Sequence, residues 1–250
     1  MQRDKIIEFI NNYLDSGNIK DASQNGLQVE GKAEVKKIAF GVSASLEFLK
    51  RAAASGADMA IVHHGLLWGR SEPVRGPFKK KLETLLDSGM TLAAWHLPLD
   101  KHRTAGNNAR ILNFLEAVNP RPFGTYDGET IGFKGSFRRP KTVAEVIKIL
   151  QNELSADILS FNFGTKKIKT VGVISGGGQR MFDQAIAAGL DLYITGEVSE
   201  FVQETAREHG ANFISAGHYN TEKPGVRALE KLARSKFNVK TEFIDIPNPV

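Results

Sequence analysis

The segment AAASGADMAIVHH (52–64) and the segment AIAAGLDLYITGE (185–197) are two versions of one pattern, and that repetition limits the fold more than any other feature of the chain. Ala52/Ala185, Ala54/Ala187, Gly56/Gly189, Asp58/Asp191 and Ile61/Ile194 are identical, with apolar matches between them. Each segment ends a helix at glycine and then enters an apolar run short enough for a buried strand. The next strand repeats as well. AAWHLPLDK (93–101) parallels ISAGHYNTEK (214–223), which sets His96 against His218 and Asp100 against Glu222. A strand–helix unit used twice predicts α/β architecture built by internal duplication, with mostly parallel sheets.

The rest of the chain follows that rhythm. Helices are expected over 3–15, 45–56, 78–89, 107–118, 141–154, 180–188, 199–209 and 224–235. Strands are expected over 35–44, 57–64, 90–100, 168–174, 191–195, 212–215 and 240–246. DASQNGLQVEG (21–31) is turn-rich. NPRPFGTYDGETIGFKGS (119–136) holds two prolines and four glycines and is the natural boundary between two similar domains, 1–122 and 123–250.

The bulk composition excludes several classes. The 250 residues are 41% hydrophobic and 24% charged, the balance of a globular chain. There is no cysteine, so disulfides and thiolate metal sites are excluded. MQRDKIIEFINNYL reads as an amphipathic helix and not a signal peptide, and no apolar run is long enough to cross a bilayer. A cytoplasmic protein without membrane attachment is expected. The net charge of +5 leaves an anionic or nucleotide substrate and single-stranded nucleic acid open as partners. The basic runs Lys79–Lys81, Arg138–Lys141 and Lys166–Lys169 are expected to be solvated faces.

Chemistry is expected at the carboxyl ends of the strands. His63 and His64 close one, Asp100 follows another, and His218 and Glu222 follow a third. Pro98 and Pro224 lie close by, so these ligands are expected on loops and not on regular helix. Imidazole with carboxylate suits Zn, Mn, Fe or Co and lacks the all-oxygen character of a calcium cage. Five ligands, two of them carboxylates, point to two divalent ions, with Glu222 able to bridge. Each residue has a plainer reading. The histidine pair could be packing, Asp100 a helix cap, and Glu222 a charge favoured at a helix N-terminus.

His96 and Glu197 are the catalytic candidates. His96 is either an acid/base beside the ions, a group supporting them from behind, or a packed ring. Glu197 occupies the repeat position of His64 and is either a supporting carboxylate or a general base. His102 is expected to be an exposed loop residue, and His209 to sit at a helix end. SGGGQ (175–179) is expected to be a tight turn, with a phosphate cradle as the alternative. Trp68 either walls a pocket or packs.

DASQNGLQVEG, HHGLLW, HLPLDKH, SGGG, TGEVSE and AGHYNTEKPGVRAL together resemble the NIF-three-like family, often labelled GTP cyclohydrolase I type 2 homologues, and in particular its short bacterial members. The resemblance covers nearly the whole chain. It implies a duplicated three-layer α/β/α fold with interlinked domains, and a ring-shaped homohexamer with metals facing its cavity. It also implies a dinuclear site in which His64 and Asp100 serve one ion, His63 and His218 the other, and Glu222 bridges. One departure is local: members often carry a histidine just after the TG-acid motif, where this chain has Glu200 and Phe201. The family label implies metal-dependent hydrolysis of the GTP purine ring, with hydroxide attacking C8 and formate leaving. The alternative is a regulatory or nucleic-acid-binding ring whose metals are structural.

Overall fold

The computed structural model describes residues 1–69 and 72–250. In chain order, the first half contains α1 (Arg3–Leu14), β1 (Gly26–Val29), β2 (Lys37–Ser43), α2 (Leu46–Ala54), β3 (Met59–His64), α3 (Gly76–Ser88), β4 (Thr91–Ala94), α4 (Leu97–Asp100) and α5 (Asn107–Phe114). The second contains β5 (Val118–Tyr126), β6 (Glu129–Lys141), α6 (Val143–Leu154), β7 (Leu159–Asn162), β8 (Ile168–Ile174), α7 (Phe182–Ala187), β9 (Leu192–Thr195), α8 (Phe201–Glu208), β10 (Asn212–Ser215), α9 (His218–Lys236) and β11 (Lys240–Phe243). Among these helices none is long and apolar enough to cross a membrane.

Two sheets result, ordered β1-β4-β3-β2-β11 and β5-β6-β8-β9-β10-β7. The strands β2, β3 and β4 run parallel, and so do β8, β9 and β10. An antiparallel strand flanks the third member of each trio: β1 beside β4, and β7 beside β10. The parallel strands are buried on both faces, as the continuous run MAIVH demands. Ala39, Phe48, Leu49 and Val62 pack in one core, and Leu112, Val146, Val171 and Ile194 in the other. Local chemistry sets the helix starts. Ser45 accepts the Phe48 amide ahead of α2, and Thr142 forms a reciprocal capping box with Glu145 ahead of α6.

The duplication extends to single hydrogen bonds. Asp58 Oδ2 accepts the amides of Lys36 (2.9 Å) and Lys37 (3.2 Å), tying the start of β3 to β2. Asp191 Oδ2 accepts those of Lys169 (2.9 Å) and Thr170 (2.8 Å), the same bond between β9 and β8. Burial works to raise the Asp58 carboxyl, but the two amides and the Lys32 ammonium outweigh it and hold it below its usual 3.8. A depressed carboxyl stabilises the fold above its unfolded value, and that contribution is lost as pH falls. Asp58→Ala is therefore expected to cost about 2 kcal/mol near neutrality. In urea titrations its gap to the parent protein should narrow from pH 7 to pH 3. A gap that stays constant would show that the carboxylate charge is not the source.

Two expectations need correction. The compact units are Met1–Leu99 with Val226–Pro247, and Asp100–Gly225 with Asn248–Val250, so the chain does not divide at 122/123. The Gly/Pro-rich 119–136 is not a linker but the hairpin β5–β6, closed by Asp127 (φ 47°) and Gly128 (φ 87°) between the paired residues Tyr126 and Glu129. Two consecutive positive φ values are what a two-residue hairpin turn requires. The last strand, β11, joins the first sheet beside β2, a pairing that no local pattern announces.

The second correction concerns the ligands. Asp100 ends the short helix α4, and His218 and Glu222 lie in the first turns of α9, so all three are helical. Pro98 is the second residue of α4, where its missing N–H is not needed. Pro224 lies inside α9. The Gly225 amide next to it is held by Asn107 Oδ1 at 2.7 Å, which offsets the ladder bond that Pro224 cannot make.

Candidate metal centre

The first unit gathers three imidazoles. His63 and His64 end β3, and His96 follows β4. One ligand nitrogen from each lies within 4.8 Å of the others. Adjacent residues on a strand normally face apart. Here the strand ends at His64, and the rings of His63 and His64 turn to centroids 4.6 Å apart.

Their partners define their tautomers. His63 is fully buried, and its Nδ1 lies 3.0 Å from the Trp95 carbonyl. A carbonyl only accepts, so Nδ1 carries the hydrogen and Nε2 is left as the ligand atom. His96 Nδ1 donates in the same way to Asp21 Oδ1 at 2.9 Å. His64 Nδ1 is 3.1 Å from Ser43 Oγ. A ring nitrogen anchored in this way is the usual arrangement behind a metal-binding histidine.

Asp21 is itself over-determined. Its oxygens also accept from the amides of Ser23 and Leu97 and from Asn25 Nδ2. Burial works to raise its carboxyl; the hydrogen bond and charge of His96, with Asn25 and Ser23, outweigh it and bring the pKa to about 2. Asn25 Oδ1 accepts the His96 amide at 2.8 Å. The turn DASQNG thus works as a clamp on His96.

The second unit gathers one imidazole and three carboxylates of its own: His218, Glu222, Glu197 and Asp100. His218 and Glu222, four residues apart on α9, share a face, and His218 Nε2 lies 3.0 Å from Glu222 Oε1. Glu197 Oε1 holds the other nitrogen, Nδ1, at 2.6 Å. Burial disfavours the imidazolium, but the two carboxylates outweigh it and raise His218 to about 9. A divalent cation held by this ring would have to displace that proton, with the same two carboxylates attracting its charge. Asp100 is buried, and its Oδ1 accepts from Asn107 Nδ2 (2.8 Å) and Ser175 Oγ (2.9 Å).

The SGGG segment is a tight turn, as expected. The Gly176 carbonyl accepts the amides of Gly196 and Glu197, its own amide goes to Thr221 Oγ1, and its φ is +64°. A Cβ at Gly176 would fall on the Glu222 carboxylate.

Each histidine and carboxylate singled out in the sequence can now be located. His63 and His64 come together with His96, and His218 comes together with Glu222 and Glu197. Asp100 is fixed by Asn107 and Ser175. Glu197 grips the ring of His218, which favours the supporting role over the general base. His102 folds back onto its own turn, accepting the Ala105 amide, and His209 is exposed at the end of α8. The paired amides Trp95 to Val62 and Ala216 to Thr195 make Trp95 equivalent to Ala216, so His218 lies one residue beyond the counterpart of His96. Sequence reasoning missed Asp21, Asn25, Asn107 and Ser175. The crowding of Asp and Asn in DASQNG and the adjacent asparagines at 107–108 were the available signals.

Two α/β units, each bringing imidazole and carboxylate groups together, define a protein with groups that could hold a metal ion. The nitrogen and oxygen donors fit a borderline divalent cation. The chain belongs to the Duf34/NIF3 (NGG1p interacting factor 3) family, whose model matches residues 1–249. It is 46% identical over 248 residues to the "GTP cyclohydrolase 1 type 2 homolog" of Pyrococcus abyssi, covering 99% of each chain. It is 40% identical over 253 residues to the protein of that name from Escherichia coli, covering 100% of each. Among solved structures, reduced HcgD from Methanocaldococcus jannaschii matches with a TM-score of 0.88 and 25% identity, covering 98% of each chain. A Thermus thermophilus protein, TTHA1606, matches with a TM-score of 0.92 and 34% identity, covering 100% of each.

Proposed function

We propose that this chain binds two divalent cations through His63, His64, Asp100, His218 and Glu222 and uses them for hydrolysis. The observation that supports it best is the anchoring of the imidazoles: Trp95 and Glu197 hold the Nδ1 atoms of His63 and His218, so each ring offers Nε2. When bound, such ions would polarise a substrate carbonyl or phosphoryl oxygen and make water acidic enough to react near neutrality. Glu197 keeps His218 in the tautomer and orientation that a cation needs. Asn107 and Ser175 aim Asp100. His96, its Nδ1 fixed by Asp21, is the proton-handling group of this reading. The name shared by the relatives directs the first substrate trial to GTP and to ring opening with release of formate.

The test is metal analysis of protein purified without added metal, then stripped and reloaded singly with Zn, Mn, Fe or Co. About two equivalents per chain are expected. His63→Ala and Glu222→Gln should lose bound metal, and Glu197→Gln should weaken it by about 10–100-fold while keeping a side chain of the same size. Parent protein that takes up no more metal than these variants would end the reading. Metal uptake without GTP turnover or formate release would remove only the hydrolase step. A homohexameric ring is part of the proposal, and light scattering on the eluted protein checks it.

A further inference from the structure

Lys81, the last residue of the Lys79–Lys81 run, and Trp68 are left unused by the metal site, and both line one depression. This cavity of about 720 Å³ is lined by Trp68, Phe78, Arg75, Lys81 and Glu72, among others. It lies within the first unit and shares a wall with the histidines. The Trp68 ring that faces it stands 5.0 Å from the His96 ring and 6.0 Å from that of His64. Gly65, next to His64, lies at its edge.

Trp68 is set rigidly. Its indole Nε1 donates to the Gly65 carbonyl at 3.0 Å, and Gln28 Oε1 accepts the amides of Leu66 and Leu67. The Gly69 amide donates to the Ala22 carbonyl at 2.8 Å, which ties the segment to the DASQNG clamp. A ring held this way offers its face to a ligand without further ordering cost.

The two cations stand apart from the neighbouring ion pair. Lys79, on the same helix, pairs with Glu83 at 3.3 Å. Among the described residues, neither the Arg75 guanidinium nor the Lys81 ammonium makes a hydrogen bond or ion pair, and Glu72, which also lines the cavity, bonds to neither. Lys81 is half-buried, and that burial holds its ammonium below the usual lysine range against the pull of Glu72. A half-buried ammonium beside one acidic neighbour, with an exposed guanidinium on the same rim, can take the oxygens of an incoming anion.

We infer that this cavity is a binding subsite for a small organic anion with a flat apolar body, an aryl phosphate in chemical terms. The ring lies against Trp68 and Phe78, and Arg75 with Lys81 takes the phosphate oxygens. The inference deepens the proposed function, because the shared Trp68 wall places such a ligand beside the imidazoles. The volume is of the size that small ligands use.

Calorimetric titration with 1-naphthyl phosphate tests it, with inorganic phosphate and 1-naphthol as the half-ligands. The naphthyl phosphate should bind more tightly than either half, in metal-free protein as well as loaded protein. Arg75→Ala and Lys81→Ala should each weaken it about tenfold, and Trp68→Ala should bring affinity down to that of inorganic phosphate. All three variants should keep the parent's metal content, whereas His63→Ala should lose metal and still bind the probe. Binding that requires metal, or that ignores Arg75, Lys81 and Trp68, would overturn the subsite and leave the metal reading intact. Absence of metal uptake with probe binding preserved would do the reverse.

Discussion

Gly176→Ala is expected to lower stability by about 2–4 kcal/mol and to abolish most metal uptake, although it adds a single methyl group. Two causes add. The residue sits at φ +64°, where a side chain meets its own backbone. The new Cβ would also collide with Glu222 Oε1 and lie 3.1 Å from His218 Nε2. The flexible end of Glu222 could swing away, but that movement separates the carboxylate from the imidazole it faces. Gly177→Ala is the internal control. That residue has φ −81°, and its Cβ would meet nothing nearer than 3.7 Å. It should unfold within about 0.5 kcal/mol of the parent and keep its metal. Paired urea melts and metal analysis decide the matter. Equal behaviour of the two variants would mean that the loop does not press on the carboxylate.

The contrast between neighbouring glycines shows what the sequence could and could not say. SGGG announced a turn through composition alone, yet which glycine is irreplaceable depends on a helix more than forty positions later. The same division runs through the fold. The parallel strands β3 and β9 were legible because a strand buried on both faces is a continuous apolar run. The starts of α2 and α6 were legible to within two residues because the apolar period of a helix is a local pattern. The β5–β6 hairpin was misread because turn residues mark a hairpin and a linker alike; the pair Asp127–Gly128 carried the distinction. The place of β11 beside β2 and the returning segment 226–247 are long-range pairings and leave no local trace.

The candidate site follows the same rule. Adjacency exposed His63 and His64, and the repeat pointed to Asp100, His218 and Glu222. Proline misled at α9, because a break in one hydrogen bond was read as the end of the helix, while Asn107 supplies a partner for the neighbouring amide. The groups that aim the imidazoles were less visible still. Asp21 acts on His96 across 75 positions, and the group that fixes His63 is a main-chain carbonyl, which no side-chain pattern can encode.

That carbonyl belongs to Trp95, whose replacement by alanine has the largest expected effect on folding. Trp95 is fully buried, and its indole Nε1 donates to Asn11 Oδ1 at 2.9 Å, joining α1 to the end of β4. Truncation removes the largest fully buried side chain among the described residues and leaves a cavity, at a cost of about 3–5 kcal/mol. For a chain of this length that corresponds to a melting temperature lower by roughly 10 °C. Trp95→Phe separates the two contributions. It keeps most of the packing and loses the indole bond with a small part of the ring volume, and Asn11 Oδ1 retains the Ser16 hydroxyl as a donor at 2.9 Å. Its cost should be about 1 kcal/mol. Both variants keep the main-chain carbonyl that binds His63 Nδ1, so Trp95→Phe should keep the parent's metal affinity while melting earlier. Calorimetric melting with parallel metal titration reads both quantities. If Trp95→Phe loses metal in proportion to its stability, the His63 ring is held by the indole's packing and not by the carbonyl behind it.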